Sequence, residues 1–266
     1  MFRTRLLSGI VLVALALLLI ITGNDILLVS IGAISLIGLF ELYRVFHIEK
    51  NVLGFTGYIA TVLYYLNLRF HVVTDFRLFV IVFLIVLLMC YVFGYPRFHA
   101  KEVLASFFGV FYVSMMLSYI YETRMMEHGL YIVWLVFLCS WGCDTCAYCV
   151  GVLFGKHKMA PKLSPKKSVE GAVGGVLGAM LLTALYSYIF ASNMNLEVEQ
   201  IVVLSLISGV GAFISMIGDL AASAIKRNYE IKDYGTLIPG HGGIMDRFDS
   251  VIITAPIIYY LAATFM

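Results

Sequence analysis

Residues 76–95 read FRLFVIVFLIVLLMCYVFGY, an apolar run in which Arg77 is the one charged position. A run of this length is what an α-helix needs to cross a hydrocarbon core about 30 Å thick. Similar runs recur along the 266-residue chain, which is 62% hydrophobic and 13% charged, whereas soluble domains are about 45–50% apolar and about 25% charged. The composition therefore excludes a soluble globular protein and predicts an integral membrane protein.

Working outward from this run, the hydropathy pattern predicts a polytopic all-α bundle of nine transmembrane helices in a single domain, 1–266. The predicted spans are 5–22, 26–45, 52–68, 76–95, 104–121, 130–153, 169–191, 200–224 and 250–266. The connections between them are too short to form an independent soluble core. Any chemistry must therefore come from helix ends, polar residues at membrane depth and two longer connections, 154–168 and 225–249.

The positive charges predict the orientation of the bundle. Fifteen of the 18 Lys and Arg residues fall on the side that holds the N-terminus. Lys and Arg are enriched in cytoplasmic connections. We therefore expect a cytoplasmic N-terminus, an external C-terminus and both longer connections in the cytosol.

Other patterns exclude or leave open possible partners. The net charge of +2 and the lack of a basic stripe argue against nucleic acid, and no G-x-x-x-x-G-K-[ST] phosphate-binding loop is present. Gly171-x-x-x-Gly175 and Gly174-x-x-x-Gly178 are typical of close helix packing. Such a surface serves either a homodimer or packing inside one chain, and the sequence leaves both open.

Carboxylates at membrane depth indicate where function lies, because burying them there is costly. Asp144 lies inside the sixth span, Asp219 lies near the end of the eighth, Glu170 opens the seventh, and Asp246 and Asp249 open the ninth. Each alone could pair with a lysine or hydroxyl and fix helix packing. All five lie in or beside the predicted cytosolic half, which favours a shared site.

The end of the eighth span and the start of the ninth carry the strongest constellation. Asp219, Ser223 and Lys226 are spaced to share one helix face. Asp246 and Asp249, three residues apart, share another, and paired carboxylates without a Cys or His cluster suit Mg²⁺.

Between these helix ends lies Pro239-Gly240-His241-Gly242-Gly243, a stretch whose backbone N–H groups could approach an anion. Basic side chains on either side add charged hydrogen-bond donors; they are Lys226, Arg227, Lys232 and Arg247. The set predicts a polyphosphate and metal site at the membrane surface. The alternative is a flexible turn with the lysines expected on a cytosolic face.

Residues Ser223–Asp249 contain S-x-x-K-R-x4-K-D followed by P-x-H-G-G-x-x-D-R-x-D. This pattern resembles the signature of the integral-membrane CTP:phosphatidate cytidylyltransferases at every fixed position. Residues 164–171 are similar to the S-P-K-K-[TS]-x-E-G segment of that family, with Ser168 where Thr is common. The resemblance covers the predicted catalytic half, 129–266, whereas the helices of 1–128 carry no recognised motif.

The resemblance implies a prokaryotic plasma-membrane enzyme that converts CTP and phosphatidate to CDP-diacylglycerol and pyrophosphate at the cytoplasmic face, among membrane lipids. The implied magnesium ligands are Asp219, Asp246 and Asp249, with Asp144 a weaker candidate, and a second, monovalent cation stays open. The implied catalytic groups also include Lys226, Arg227, Lys232, Asp233, His241 and Arg247. The implied substrate-binding residues are Ser223, Gly242, Gly243, Asp144, Lys167, Ser168 and Glu170.

Two other functions stay open at this point. A CTP-dependent polyprenol or phytol kinase would share the membrane architecture and basic face but would release CDP. A secondary transporter could use Asp144 and Asp219 as ion-coupling carboxylates at broken helices.

Overall fold

The computed structural model describes residues 2–240 and 242–266, with side chains described from Ser8 onward. Helix accounts for 79% of the chain, in agreement with the predicted all-α membrane protein. His241, which the sequence analysis proposes as a catalytic donor, lies outside the described residues.

The N-terminal helices follow one another with short connections. They are α1 (Phe2–Thr22), α2 (Asn24–Val45), α3 (Val52–Phe70), α4 (Phe76–Phe93), α5 (Ala100–Gly109) and α6 (Met116–Met125). A π-helical segment, Val110–Met115, joins α5 to α6, so these two form one continuous helical stretch.

The remaining elements carry most of the predicted site. They are α7 (Gly129–Phe137), a π-helical segment (Leu138–Gly142), α8 (Cys143–Phe154), β1 (Lys158–Ala160), β2 (Ser164–Ser168), α9 (Val169–Ile189), α10 (Ala191–Met194), α11 (Val198–Asn228) and α12 (Met245–Phe265). Because α12 begins at Met245, both Asp246 and Asp249 lie in its first turns.

Seven helical stretches of the described chain are long and apolar enough to cross a bilayer. They are Asn24–Val45, Phe76–Phe93, Ala100–Met125, Gly129–Phe154, Val169–Ile189, Val198–Asn228 and Met245–Phe265. Helix α3 coincides with the third predicted span but is not one of the seven. The part of α1 with described side chains, Ser8–Thr22, is a shorter apolar helix. The count of nine spans and the orientation therefore stay predictions.

The chain divides into two compact units, and each contains separated stretches of sequence. The first comprises Met1–Tyr121 and Asp233–Arg247, and the second comprises Glu122–Lys232 and Phe248–Met266. The C-terminal motif is therefore divided between the two units. Its middle part, Asp233–Arg247, belongs to the same unit as the N-terminal helices, for which the sequence shows no motif.

The first unit has an apolar core with hydroxyl groups paired inside it. Leu39 and Leu87 are fully buried. The Tyr43 hydroxyl donates to the Ser106 carbonyl oxygen at 2.6 Å. In lipid there is no water to satisfy such groups, so hydroxyls paired between helices help to hold the helices together.

In the second unit, α9 packs closely on α8 through its glycines. A Cβ placed on Gly174 would lie 2.5 Å from the Val150 side chain, and one on Gly178 would lie 2.5 Å from Cys146. Gly175 faces Cys143 in the same way. The small-residue surface is therefore used inside the chain, and the homodimer stays a prediction without support from this surface.

The connection 154–168 contains a β-hairpin that the hydropathy pattern does not predict. Strands β1 and β2 are antiparallel and pair Lys158 with Ser168 and Ala160 with Ser164. An isolated two-stranded hairpin is marginally stable in water, so its attachment to α9 matters. The Val169 N–H donates to the His157 carbonyl oxygen at 2.9 Å, which fixes the hairpin to the start of that helix.

Candidate active site

Lys167 is the centre of a charged cluster in the second unit. Its ammonium group contacts the carboxylate of Asp219, and both side chains are about three-quarters buried. Asp144 and Asp249 are also close enough to act on its charge. Burial lowers the pKa of Lys167, but the three carboxylates raise it by more, so that it lies above the usual value for a lysine. Lys167 is therefore positively charged at neutral pH.

Asp219 and Asp249 lie on two helices that touch at a glycine. Gly218 of α11 faces the backbone of α12, where a Cβ would lie 3.0 Å from the Asp249 carbonyl oxygen and 3.3 Å from Ile253. The absence of a side chain at Gly218 thus lets α11 approach the residue that carries the second carboxylate. The expectation that these two acidic residues lie close together is met within the second unit.

The same face of α11 supplies further polar groups. Helix α11 continues to Asn228, and the Ser223 hydroxyl donates to Asp219 Oδ1 at 3.4 Å, one turn away. Lys226 is close enough to Asp249 to interact with its charge. The predicted one-sided arrangement of a carboxylate, a hydroxyl and an ammonium is present, whereas Arg227 and Lys232 are exposed at the end of α11 and beyond it.

A cavity of about 540 Å³ opens beside this cluster. Asp144 and Lys167 line it together with Lys158 and Lys166 from the hairpin, and Tyr148 contributes an aromatic ring. Three lysines facing one cavity suit an anionic ligand. Lys158 and Lys166 were not singled out from the sequence, because the pairing of β1 with β2 is what brings them to the same space.

Ser168 and Glu170 hold the hairpin on α9. Ser168 is the N-cap of α9, and its hydroxyl accepts the Gly171 N–H at 3.1 Å. Glu170 accepts the N–H groups of Lys156 and His157 and contacts the His157 ring at 2.6 Å. Both residues therefore position the lysines of the hairpin, and their predicted direct contact with substrate stays a prediction.

The loop before α12 belongs to the first unit and folds around Asp246. This carboxylate is 6% exposed. Its Oδ2 accepts the N–H groups of Tyr234 at 2.8 Å, Gly243 at 3.0 Å and Gly235 at 3.4 Å. Gly242 has a φ of +87°, a conformation that favours glycine. Asp246 thus closes the loop, which contains Gly242 and Gly243, on itself.

The sequence analysis did not single out Glu41, whose carboxylate binds the backbone at the start of α12. It is 4% exposed in α2 and accepts the N–H groups of Ile244 and Met245. The guanidinium group of Arg44 donates to the Tyr234 carbonyl oxygen. A carboxylate inside an apolar run is itself a functional signal, but nothing near Glu41 in sequence indicates its partners.

The predicted residues therefore fall into two groups. Those of the second unit are Asp144, Lys167, Ser168, Glu170, Asp219, Ser223, Lys226, Arg227, Lys232 and Asp249, and those described in the first unit are Asp233, Gly242, Gly243, Asp246 and Arg247. Of these last five, Asp233 is exposed and Arg247 is half-buried.

The carboxylates of the second unit have the chemistry of a magnesium site whose coordination shell is completed by substrate phosphates. In the part of the chain that the structure describes, no three His, Cys, Asp or Glu side chains form a metal-binding group by themselves. Mg²⁺ usually binds one or two carboxylates and completes its shell with water and substrate phosphates. Asp219 and Asp249 are carboxylates of the kind that can supply such a pair.

Residues 3–265 match the model of a family described as the cytidylyltransferase family. The phosphatidate cytidylyltransferase of Bacillus subtilis (strain 168) is 31% identical over 271 aligned residues, which cover 99% of this chain and 98% of the relative. That of Staphylococcus haemolyticus (strain JCSC1435) is 30% identical over 97% of this chain and 98% of its own length. The similarity therefore extends across the N-terminal helices, beyond the half that carries the motifs.

Proposed function

Because this chain belongs to the cytidylyltransferase family, we propose that it converts CTP and phosphatidate to CDP-diacylglycerol and pyrophosphate in a bacterial membrane. Relatives of that activity align over nearly its full length, and this observation carries the proposal. The lysine-lined cavity beside Asp219 and Asp249 supports it, since both substrates bring phosphate groups.

The reaction joins a phosphate oxygen of phosphatidate to the α-phosphorus of CTP, and pyrophosphate leaves. Phosphatidate is already an anion, so the protein need not remove a proton to create the nucleophile. Such a displacement depends mainly on positioning and on neutralising charge. The largely buried ammonium of Lys167 is suited to both tasks, because Asp219 holds it in place and its raised pKa keeps it charged.

The other basic groups would hold phosphates. We assign Lys158 and Lys166 to an anionic group in the cavity. As the sequence analysis predicts, Lys226, Arg227, Lys232 and Arg247 are assigned to the phosphates of CTP and to the leaving pyrophosphate. His241 is assigned as a donor to a phosphoryl oxygen, and Asp233 is retained as a further polar group of the same motif.

Asp219 and Asp249 would hold Mg²⁺ together with phosphate oxygens. A bound Mg²⁺ would offset the negative charge of the phosphates and fix their geometry. Asp246 stays the third ligand predicted from the sequence, with Asp144 a weaker candidate. The Asp246 carboxylate also has a structural role, because its Oδ2 accepts N–H groups of the loop before α12. A monovalent cation beside Mg²⁺ also stays a prediction.

The site is proposed to face the cytoplasm, where CTP is found. The concentration of Lys and Arg on one side of the chain supports this orientation. A site at the level of the lipid headgroups would allow a soluble nucleotide and a lipid to meet.

The proposal is tested with detergent-purified full-length protein, labelled CTP, phosphatidate and Mg²⁺. We expect CDP-diacylglycerol and pyrophosphate in equal amounts. Release of CDP with a polyprenol substrate and no CDP-lipid from phosphatidate would instead identify a kinase, and uptake into vesicles without either product would identify a transporter.

A matched pair of variants makes the assay specific. Asp219→Asn removes the carboxylate that contacts Lys167, and Asp75→Asn removes a carboxylate that caps α4. We expect the first variant to lose product formation and the second to retain it.

A further inference from the structure

We infer that Glu41 of α2 is a positioning residue for the motif loop, defined as residues 234–240 and 242–245, in the cytidylyl transfer reaction. The inference rests on the proposed function, because the loop contains Gly242 and Gly243 and runs into Asp246 and Arg247. It assigns a task to an N-terminal helix that carries no recognised motif.

Glu41 caps the N-terminus of α12 from a distant part of the chain. Its Oε1 accepts the Ile244 N–H at 3.1 Å, and its Oε2 accepts the Met245 N–H at 2.9 Å. The first N–H groups of a helix have no partner within the helix, and a negative charge at that end is favoured by the helix dipole. A single buried carboxylate therefore satisfies two backbone groups and fixes where α12 starts.

The motif loop is shaped to fit this carboxylate. A Cβ placed on either Gly235 or Gly243 would overlap the carboxylate of Glu41. Both glycines belong to the C-terminal region of the sequence, yet the group that requires them to be small lies in α2. Because the backbone of the loop packs directly against the Glu41 carboxylate, the place of this carboxylate determines the position of the loop.

Other contacts hold the loop at both of its ends. Arg44, one turn after Glu41, donates to the Tyr234 carbonyl oxygen. Asp246 accepts N–H groups from Tyr234 and Gly243. Glu41 and Asp246 thus hold successive N–H groups, those of Gly243, Ile244 and Met245. Loss of the Glu41 carboxylate would free Ile244 and Met245 while leaving the Asp246 contacts in place.

A small shift of the motif loop would affect turnover more than folding. Misplacement of a reacting arrangement by about 1 Å can cost about a hundredfold in rate. Because the Glu41 carboxylate binds backbone N–H groups of Ile244 and Met245, it acts on the reaction through the loop. We therefore expect kcat to fall in a variant that remains folded.

The test compares Glu41→Gln with Glu49→Gln in purified full-length protein. Glutamine keeps the size of Glu41 but has one acceptor oxygen, so its amide group would face one of the two N–H donors. Glu49 lies after α2 in the same unit and is half-buried, so its variant controls for loss of a carboxylate charge. We expect about a hundredfold lower kcat and faster hydrogen exchange at residues 236–245 in Glu41→Gln, with wild-type values in Glu49→Gln.

A double-mutant cycle distinguishes a positioning role of Glu41 from a general loss of folding. Gly243→Ala should also accelerate exchange in the loop, because its Cβ would push against Glu41. In the Glu41→Ala background the same methyl group enters the space left by the carboxylate. Gly243→Ala should therefore lower kcat by a smaller factor in that background than it does in the wild-type protein. The inference would be contradicted if the double variant lost kcat by the product of the two single-variant factors. Unchanged hydrogen exchange and kcat in Glu41→Gln would contradict it as well.

Failure of the proposed function gives a different result. If wild-type protein makes no CDP-lipid, that function is wrong, and the exchange data alone then decide whether Glu41 positions the loop. If wild-type protein is active and Glu41→Gln matches it in kcat and exchange, the positioning role is wrong and the proposed function stands.

Discussion

Replacing Gly218 by alanine should separate the two helices that carry Asp219 and Asp249. The new Cβ would lie 3.0 Å from the Asp249 carbonyl oxygen, about 0.4 Å closer than the 3.4 Å at which ordinary contact begins. The obstructing atom belongs to the backbone and cannot rotate away. Helices α11 and α12 must therefore move apart, and the Ile253 side chain, 3.3 Å from the new Cβ, must also shift.

The magnitude follows from two opposed effects on the free energy of unfolding. Overpacking costs about 1–3 kcal/mol, while alanine in place of glycine inside a helix gains about 0.5–1 kcal/mol. We expect a net loss of stability up to about 2 kcal/mol. If a misplacement of 1 Å costs about a hundredfold, a shift of about 0.4 Å should lower kcat about five- to tenfold.

The assay measures thermal unfolding and CDP-lipid formation in the same detergent preparation. Gly32→Ala is the matched control, because its Cβ would lie at an ordinary 3.4 Å from the Tyr65 ring. Turnover is compared at a temperature where both variants are folded. A Gly218→Ala protein that matches Gly32→Ala in melting temperature and in kcat would refute the close packing of α11 on α12. Lower stability with unchanged kcat would refute its link to the site.

Three further outcomes are expected. Lys167→Met should abolish turnover, and Lys167→Arg should restore part of it. Because the pKa of Lys167 is raised, the charged lysine stabilises the folded protein relative to Lys167→Met. This difference in the free energy of unfolding should be fully present at neutral pH, below the ordinary lysine pKa of about 10.4, and should disappear as the pH rises through the higher folded value. Asp246→Asn should remain folded, since its amide oxygen can still accept the loop N–H groups, but should lose activity; melting data and a product assay decide this, and normal turnover would remove Asp246 from the metal site. Ser168→Ala should lower the free energy of unfolding by about 0.5–2 kcal/mol through loss of the α9 cap, whereas Ser168→Thr should not.

The helices and the family motif could be predicted from the sequence because both depend on neighbouring residues. An apolar run of about 20 residues predicts a helix wherever it occurs, as the segments around Leu87 and Leu204 illustrate. The spacing of Asp219, Ser223 and Lys226 likewise needed only that one helix should continue, and α11 does continue to Asn228.

What escaped prediction depends on contacts between distant residues. The hairpin pairs Lys158 with Ser168 across a turn that carries no hydropathy signal. The partners of Glu41 are Ile244 and Met245, 203 and 204 positions away. Sequence periodicity describes the face on which a residue lies, and it holds no information about the partner that reaches that face.

The long separation between Glu41 and its backbone partners has a consequence for biosynthesis. Ribosomes add about 5–20 residues per second, so about 10–40 s pass between the synthesis of α2 and that of the two N–H groups that bind its carboxylate. During this interval the Glu41 carboxylate lacks the two N–H groups that it accepts in the folded chain, and an unpaired ionised carboxylate in an apolar helix is costly to bury in a membrane. We expect α2 to reach its final depth only after translation of the last helix, so a ribosome stalled before residue 244 should leave Glu41 within reach of water-soluble carboxyl-modifying reagents.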